Sequence, residues 1–372
     1  MELRPEDRDS LNQERELSNG QDIVIVNTAL IMKAMQGMQK AQADFQELLE
    51  RAELGDASVQ YELGVRYATG DGVEADMAQA AHWFAQAAET GDLRAVDALG
   101  RCYQNGSGVE QDQERGAELF RQAAEEGFAG ALCDLGLCYE SGEGVERDPV
   151  RAAELYLQAA EQDYAPAQCN LGVCCLNGIG VEQDPVQAVE WLKRAAGQGF
   201  PRAQSILGVC YENGTGVEAD PVRAAELYRR SADQGYAPAQ CNLGVCYLSG
   251  IGLEADPAQA VEWLQRSAAQ EFPRAESILA DCYDSGAGVE ADPAQAFALY
   301  QKAAQAGYPP AICSLGLCYE LGDGVEQDLE RGAELYRQAA GQGYIPAKCN
   351  LAVCYLHGAG VEADPVQAAA LL

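Results

Sequence analysis

The chain has 372 residues, 58 of them acidic against 25 basic, and a formal charge of −33. A field of that sign repels polyanions, so neither nucleic acid nor an anionic membrane surface is an expected partner. Two histidines beside 14 cysteines, with no Cys-x-x-Cys or Cys/His spacing, predict no metal site.

Residues 1–26 are polar and charge-rich, a composition that predicts a disordered acidic tail. No basic start leads into an apolar run, so no signal peptide is expected and a cytoplasmic location follows. Ile23 to Met38 is the most hydrophobic early stretch. Asn27, Thr28, Lys33 and Gln36 interrupt it, which excludes membrane insertion. Over residues 27–56 the pattern turns helical, with Leu30, Ala34, Ala41, Phe45, Leu48, Leu49 and Ala52 along one side. Shifted by 36, Leu48, Ala52 and Gly55 match Phe84, Ala88 and Gly91. This segment is predicted to be an N-terminal capping helix, a half-repeat that shields the end of a stack.

From residue 57 to 372 a block of 36 residues recurs without insertion. Leu-Gly returns at Leu63-Gly64, Leu99-Gly100, Leu135-Gly136, Leu171-Gly172, Leu207-Gly208, Leu243-Gly244 and Leu315-Gly316, with Leu279-Ala280 and Leu351-Ala352 in phase. A Gly-x-Gly-Val-Glu-x-Asp segment follows each. A fixed period of this length predicts an all-α fold, an α/α solenoid of helix-turn-helix repeats, with eight full copies and a truncated ninth.

Residues 129–164 serve as the specimen. Ala131, Leu135, Cys138 and Tyr139 form the inner stripe of a first helix, A, which ends at Ser141-Gly142. The Gly142-Glu143-Gly144 turn lets Val145 fold back under the pair. Asp148 is the expected N-cap of helix B, and Pro149 takes its first position. Gln187, Gln259, Gln295 and Gln367 add an expected Asp-x-x-Gln capping box. Ala152, Leu155, Tyr156, Ala159 and Ala160 line the buried side of helix B. A glycine closes that helix except at Asp163 and Glu271, which marks the joint near Glu271 as a weak point. A second period of 72 appears, since Tyr164–Glu190 is nearly repeated at Tyr236–Glu262.

Cysteines five apart on one helix, such as Cys133 and Cys138, sit roughly 8–9 Å apart on diverging faces. Equivalent cysteines in adjacent copies are ~8–10 Å apart, beyond the ~7 Å reach of a bridge. Free thiols in a reducing compartment are therefore expected.

The motif Ala-x-x-x-Leu-Gly-x-Cys-Tyr-x-x-Gly-x-Gly-Val-Glu-x-Asp-Pro-x-x-Ala-x-x-x-Tyr-x-x-Ala-Ala resembles the Sel-1-like repeat family, a subclass of the tetratricopeptide-like helical repeats. The resemblance implies a right-handed superhelix that serves as a protein-binding adaptor through the concave face lined by helix A, without catalytic residues. Read onto that face, the even-type copies offer Pro166, Cys169, Val173, Leu176 and Asn177, then Pro238, Cys241, Val245 and Leu248. The odd-type copies offer Arg202, Ser205, Val209, Glu212 and Asn213, then Arg274, Asp281 and Asp284. Lys348 and Leu356 stand for the final copy. Apolar stripes then alternate with Arg/acid stripes, suited to an extended or helical peptide with apolar anchors about two repeats apart. The alternatives are that Leu176, Leu248 and Leu356 pack on neighbouring helices and that Asn177 and Asn213 serve as helix ends.

Tetratricopeptide domains that clamp a C-terminal carboxylate use Lys and Asn where this chain has Cys133 and Leu137 and their equivalents, so that role is not expected. The thiols on this face read as space-fillers, since no basic neighbour is evident to activate them. Glu146 and Asp148, repeated at every turn, form an acidic ridge; Asp148 is used as an N-cap and the loop lacks the dense oxygen ligands of a calcium site. No nucleophile elbow, Walker loop or His-Glu-x-x-His occurs, so no catalysis and no cofactor are expected. Secreted, cysteine-rich members of the resembling family, linked to β-lactam hydrolysis, supply the alternative reading. Those carry a secretory signal and a disulfide within each repeat.

Overall fold

The computed structural model describes residues 32–33 and 44–371, and among the described residues no strand occurs. The chain divides into two compact units, one ending at Ala159 and the other beginning at Ala160. The expected tail over 1–26 lies outside the described residues, as does most of the expected capping segment before residue 44.

In the first unit a helical stretch over 44–53 precedes α1 (Ala57–Thr69), α2 (Met77–Glu89), α3 (Leu93–Asn105), α4 (Gln113–Glu125), α5 (Ala129–Ser141) and α6 (Pro149–Glu161), whose last residues belong to the second unit. Phe45 and Ala52 are buried against Val59, Leu63 and Trp83. The Phe45 ring meets Tyr67 edge-on at 5.5 Å. Gln60 Nε2 donates to the Ala52 carbonyl at 3.0 Å. The 44–53 stretch thus packs on α1 as a second helix packs on the first helix of the next copy.

The second unit runs α7 (Ala165–Asn177), α8 (Pro185–Gly197), α9 (Pro201–Asn213), α10 (Pro221–Asp233), α11 (Ala237–Ser249), α12 (Pro257–Ala268), α13 (Pro273–Ser285), α14 (Pro293–Gln305), α15 (Pro309–Leu321), α16 (Leu329–Gly341), α17 (Ile345–His357) and α18 (Pro365–Leu371). Odd-numbered elements are helix A and even-numbered ones helix B. Each packs on its sequence neighbours, and α9, α11 and α13 also touch in turn.

Local chemistry sets the boundaries. Asp184 Oδ1 accepts from the amides of Val186 and Gln187 at 3.0 Å, which starts α8. The expected capping box closes on this side only. The Asp184 amide donates instead to the Cys175 carbonyl at 2.9 Å, and Asp220 likewise to Tyr211 at 2.8 Å. The end of helix A has already satisfied the donor that a box glutamine would serve. Gln187 Oε1 accepts from the Cys175 thiol at 3.4 Å.

The first glycine of each Gly-x-Gly ends helix A in the left-handed region, as at Gly214 with φ 69°. The second glycine has a further task. A Cβ at Gly216 would stand 2.0 Å from the Pro185 carbonyl oxygen, and one at Gly288 2.1 Å from that of Pro257. The turns at Gly216 and Gly288 therefore rest on the first residue of the preceding helix B, which fixes the step between these copies. Asp163 (φ 59°) and Glu271 (φ 57°) are the non-glycine residues with positive φ among the described residues, at the joints the sequence singles out.

A row of buried amides ties the copies in the second unit together. Gln168, Gln204 and Gln240 donate to the Ala160, Ala196 and Ala232 carbonyls. Each accepts in turn from Gln198, Gln234 or Gln270 at 2.8–2.9 Å. Such a row satisfies polar groups that would otherwise cost stability in the interior.

Candidate interaction surface

The positions predicted for the helix-A face do not share one environment. Cys169, Ser205 and Cys241 are buried. Pro166, Val173, Leu176, Arg202, Pro238, Val245, Leu248 and Arg274 are half-buried, whereas Asn177, Val209, Glu212, Asn213, Asp281, Asp284 and Leu356 are exposed. Lys348 is half-buried and stands in register with Gln168, Gln204 and Gln240, the amide row, rather than with the outward positions.

Leu176 and Leu248 lean on the buried core, so their side chains are shared between packing and surface. The apolar area open to water lies elsewhere on the same face: Val209 (40% exposed), Leu317 (44%), Leu321 (59%), Val353 (48%) and Leu356 (48%). Leu317 and Leu321 are absent from the residues expected from sequence, although Leu317 follows Leu315-Gly316 as Val209 follows Leu207-Gly208. Reading only the Pro/Arg alternation passes over that copy.

The polar groups are anchored from within. Tyr228, buried on α10, donates its hydroxyl to Glu212 at 2.5 Å, and Tyr336 to Glu320 at 2.6 Å. Tyr300 donates to Asp281 at 2.5 Å. At the copies where leucine replaces this tyrosine, Leu192 and Leu264, leucine also stands in the place of the acid, at Leu176 and Leu248. Phenol with carboxylate and leucine with leucine alternate at the copies carrying Leu192, Tyr228 and Leu264, whereas Tyr300 and Tyr336 stand in consecutive copies. Arg202 Nη1 donates to Asn170 Oδ1 at 2.7 Å, and Arg274 Nη1 to Asn242 Oδ1 at 2.6 Å. Asn177 Nδ2 donates back to the Val173 carbonyl at 3.1 Å, a helix-end role.

The thiols do have basic neighbours, contrary to the sequence expectation. Arg202 lies near Cys169 and Arg274 near Cys241. Burial outweighs both, and each thiol is pushed up to about 11. At neutral pH they are protonated and poorly nucleophilic.

Along the turns, acidic residues border open clefts, one lined by Glu326, Asp328, Gly358, Gly360 and Glu362 among others. Asp328 accepts from the Arg331 amide at 2.9 Å, so its carboxylate serves α16. Among the described residues no group of three or more His, Cys, Asp or Glu is placed to hold a metal ion.

The Sel1 repeat model matches nine successive segments, 57–92, 94–128, 129–164, 165–200, 201–236, 237–272, 273–308, 309–344 and 345–372. The chain belongs to the Sel1 repeat family. Its solved relatives include a Sel1 repeat protein from Oxalobacter formigenes, 32% identical, with 78% of this chain and 84% of that one covered and a TM-score of 0.53. A protective antigen of uropathogenic Escherichia coli strains with the same repeat fold is also 32% identical, with 88% and 85% covered and a TM-score of 0.49. No curated protein matches. Sel1 repeats are in general protein–protein interaction scaffolds and mediate contacts between proteins. In this Sel1 repeat chain, no described helix is long and apolar enough to cross a membrane.

Proposed function

We propose that this Sel1 repeat chain is a non-catalytic adaptor of the cytoplasm that holds a peptide or protein segment along the helix-A face of its second unit. The carrying observation is a set of apolar side chains left open to water in one helix-A register, at α9, α15 and α17, with half-buried Val245 and exposed Asp281 at that register on α11 and α13 between them. Val209, Leu317 and Val353 each follow the Leu-Gly or Leu-Ala pair of their copy and are 40–48% exposed. Leu356 and Leu321 extend that area. Apolar side chains recurring in one register suit a partner chain that runs across the helices. The half-buried Val173, Leu176, Val245 and Leu248 supply its floor, and Glu212, Asn213, Asp281 and Asp284 its polar rim.

The cytoplasmic part of this reading is supported by the thiols. Cys169, Cys241 and Cys313 are free and buried, the state a reducing environment maintains. The secreted, disulfide-linked alternative gains no support from these residues.

The test is capture of partners from a lysate by the chain and by a Val209→Asp, Leu317→Asp double variant. Both sites are exposed, so helicity is retained while capture is lost. Undiminished capture by the double variant removes the helix-A face from the reading.

A further inference from the structure

Two guanidinium groups on this face stand without a carboxylate. Arg202 and Arg274 are both half-buried, and each is tied to a neutral acceptor on the preceding copy, Asn170 or Asn242. Among the described residues neither takes part in an ion pair. In a chain with a formal charge of −33 this is unexpected on numbers alone. The reason is local. Two of the acids that share the face are engaged elsewhere: Glu212 accepts from Tyr228, and Asp281 from Tyr300. A guanidinium offers five donors in a fixed plane, and a partly desolvated one is best satisfied by a carboxylate bound through two of them. The asparagine holds that plane in place before any ligand arrives, which lowers the ordering cost of binding.

We propose that Arg202 and Arg274 read two carboxylates on an extended partner segment lying along α9 to α13. This rests on the helix-A face reading and adds to it the chemistry of the partner. The two arginines are one two-copy translation apart. With helices packed at 8–10 Å, that step is roughly 20 Å. An extended chain rises about 3.3 Å per residue, so the two acidic side chains stand about six residues apart. Val209 and Val245 lie between the arginines in sequence and favour apolar residues in the intervening stretch. The partner is thus an apolar segment punctuated by two Asp or Glu residues, although the protein that binds it is itself strongly acidic.

The experiment is selection of a random twelve-residue display library on the full chain, with the best peptides then titrated against variants. The expected outcome is enrichment of Asp or Glu pairs about six apart around apolar residues. Arg202→Gln and Arg274→Gln should each weaken such peptides about tenfold, the size of one lost charge-assisted bond. Circular dichroism confirms that both variants keep their helices. Peptides without acidic pairs, or bound equally by the double Arg variant, overturn this inference; loss of their binding in the Val209→Asp, Leu317→Asp variant then leaves the face reading standing. Absence of any enriched peptide, or peptides indifferent to Val209→Asp and Leu317→Asp, overturns both.

Discussion

The hydroxyl of Tyr228 on α10 donates to the carboxylate of Glu212 on α9 at 2.5 Å, across a helix pair in which the Tyr228 ring also packs against Gly208. A Cβ at Gly208 would meet that ring at 2.6 Å, so glycine, tyrosine and acid form one unit. In the adjoining copy Gly172 faces Leu192 and the acid is replaced by Leu176. Changing Tyr228→Leu and Glu212→Leu together should therefore cost less than the sum of the single changes. A coupling of about 1 kcal/mol is expected from a double-mutant cycle in urea. Strict additivity would mean that the pairing is incidental.

The second glycine of the turn offers a comparison at nearly matched backbone geometry. Gly288 and Gly307 have φ of 76° and 80°. A Cβ at Gly288 would collide with the Pro257 carbonyl oxygen at 2.1 Å, whereas one at Gly307 meets nothing within 4 Å. Gly307→Ala should cost only the left-handed penalty, about 1 kcal/mol. Gly288→Ala must also push two copies apart and should cost several times as much. Equal losses in thermal or urea unfolding would refute the seat described for this turn.

Asp97 lies in the first unit, in register with Cys133 and almost wholly buried. Its Oδ2 accepts from Arg101, which also holds Asp134 at 2.7 Å, while Oδ1 is buried without a partner. Burial, with Asp134 adding to it and Arg101 opposing, raises the carboxyl from 3.8 to about 6. The folded form therefore holds its proton more tightly than the unfolded form. Its contribution is full below about pH 4 and is lost as pH rises through about 6. Asp97→Asn should flatten this fall and gain about 1–3 kcal/mol at pH 7 relative to pH 4. Stability measured at both pH values checks it; an unchanged slope would place the proton elsewhere.

Gln60 repeats the geometry of Gln168 in donating to the alanine carbonyl of the preceding helix, but its Oε1 is buried without a partner. The residue in the place of Gln198 is Thr90, whose hydroxyl turns back to the Ala87 carbonyl at 2.6 Å. Thr90→Gln should supply the missing donor and raise stability by about 1 kcal/mol. The same substitution paired with Gln60→Leu should give no gain, which separates this bond from a helix-propensity effect.

Period, helix boundaries and the buried stripe were legible in residue order because they depend on near neighbours. Leu-Gly, Gly-x-Gly and Asp-Pro each act within a turn or two of themselves, and a repeat restates them until chance is excluded. What α9 or α13 shows to water was not legible in the same way. Leu176 and Val209 occupy like stripes in the sequence, yet the first is partly covered by the core and the second is open. The basic neighbours of Cys169 and Cys241 come from the following copy, 33 residues on, and only stacking brings them near. The capping glutamines lost their expected partner because the end of helix A reaches the aspartate amide first. Sequence alone determined that helix pairs repeat and where each begins and ends. Tertiary packing decided which side chains remain uncovered and which charges remain unpaired, since exposure and pairing depend on atoms that no local pattern encodes.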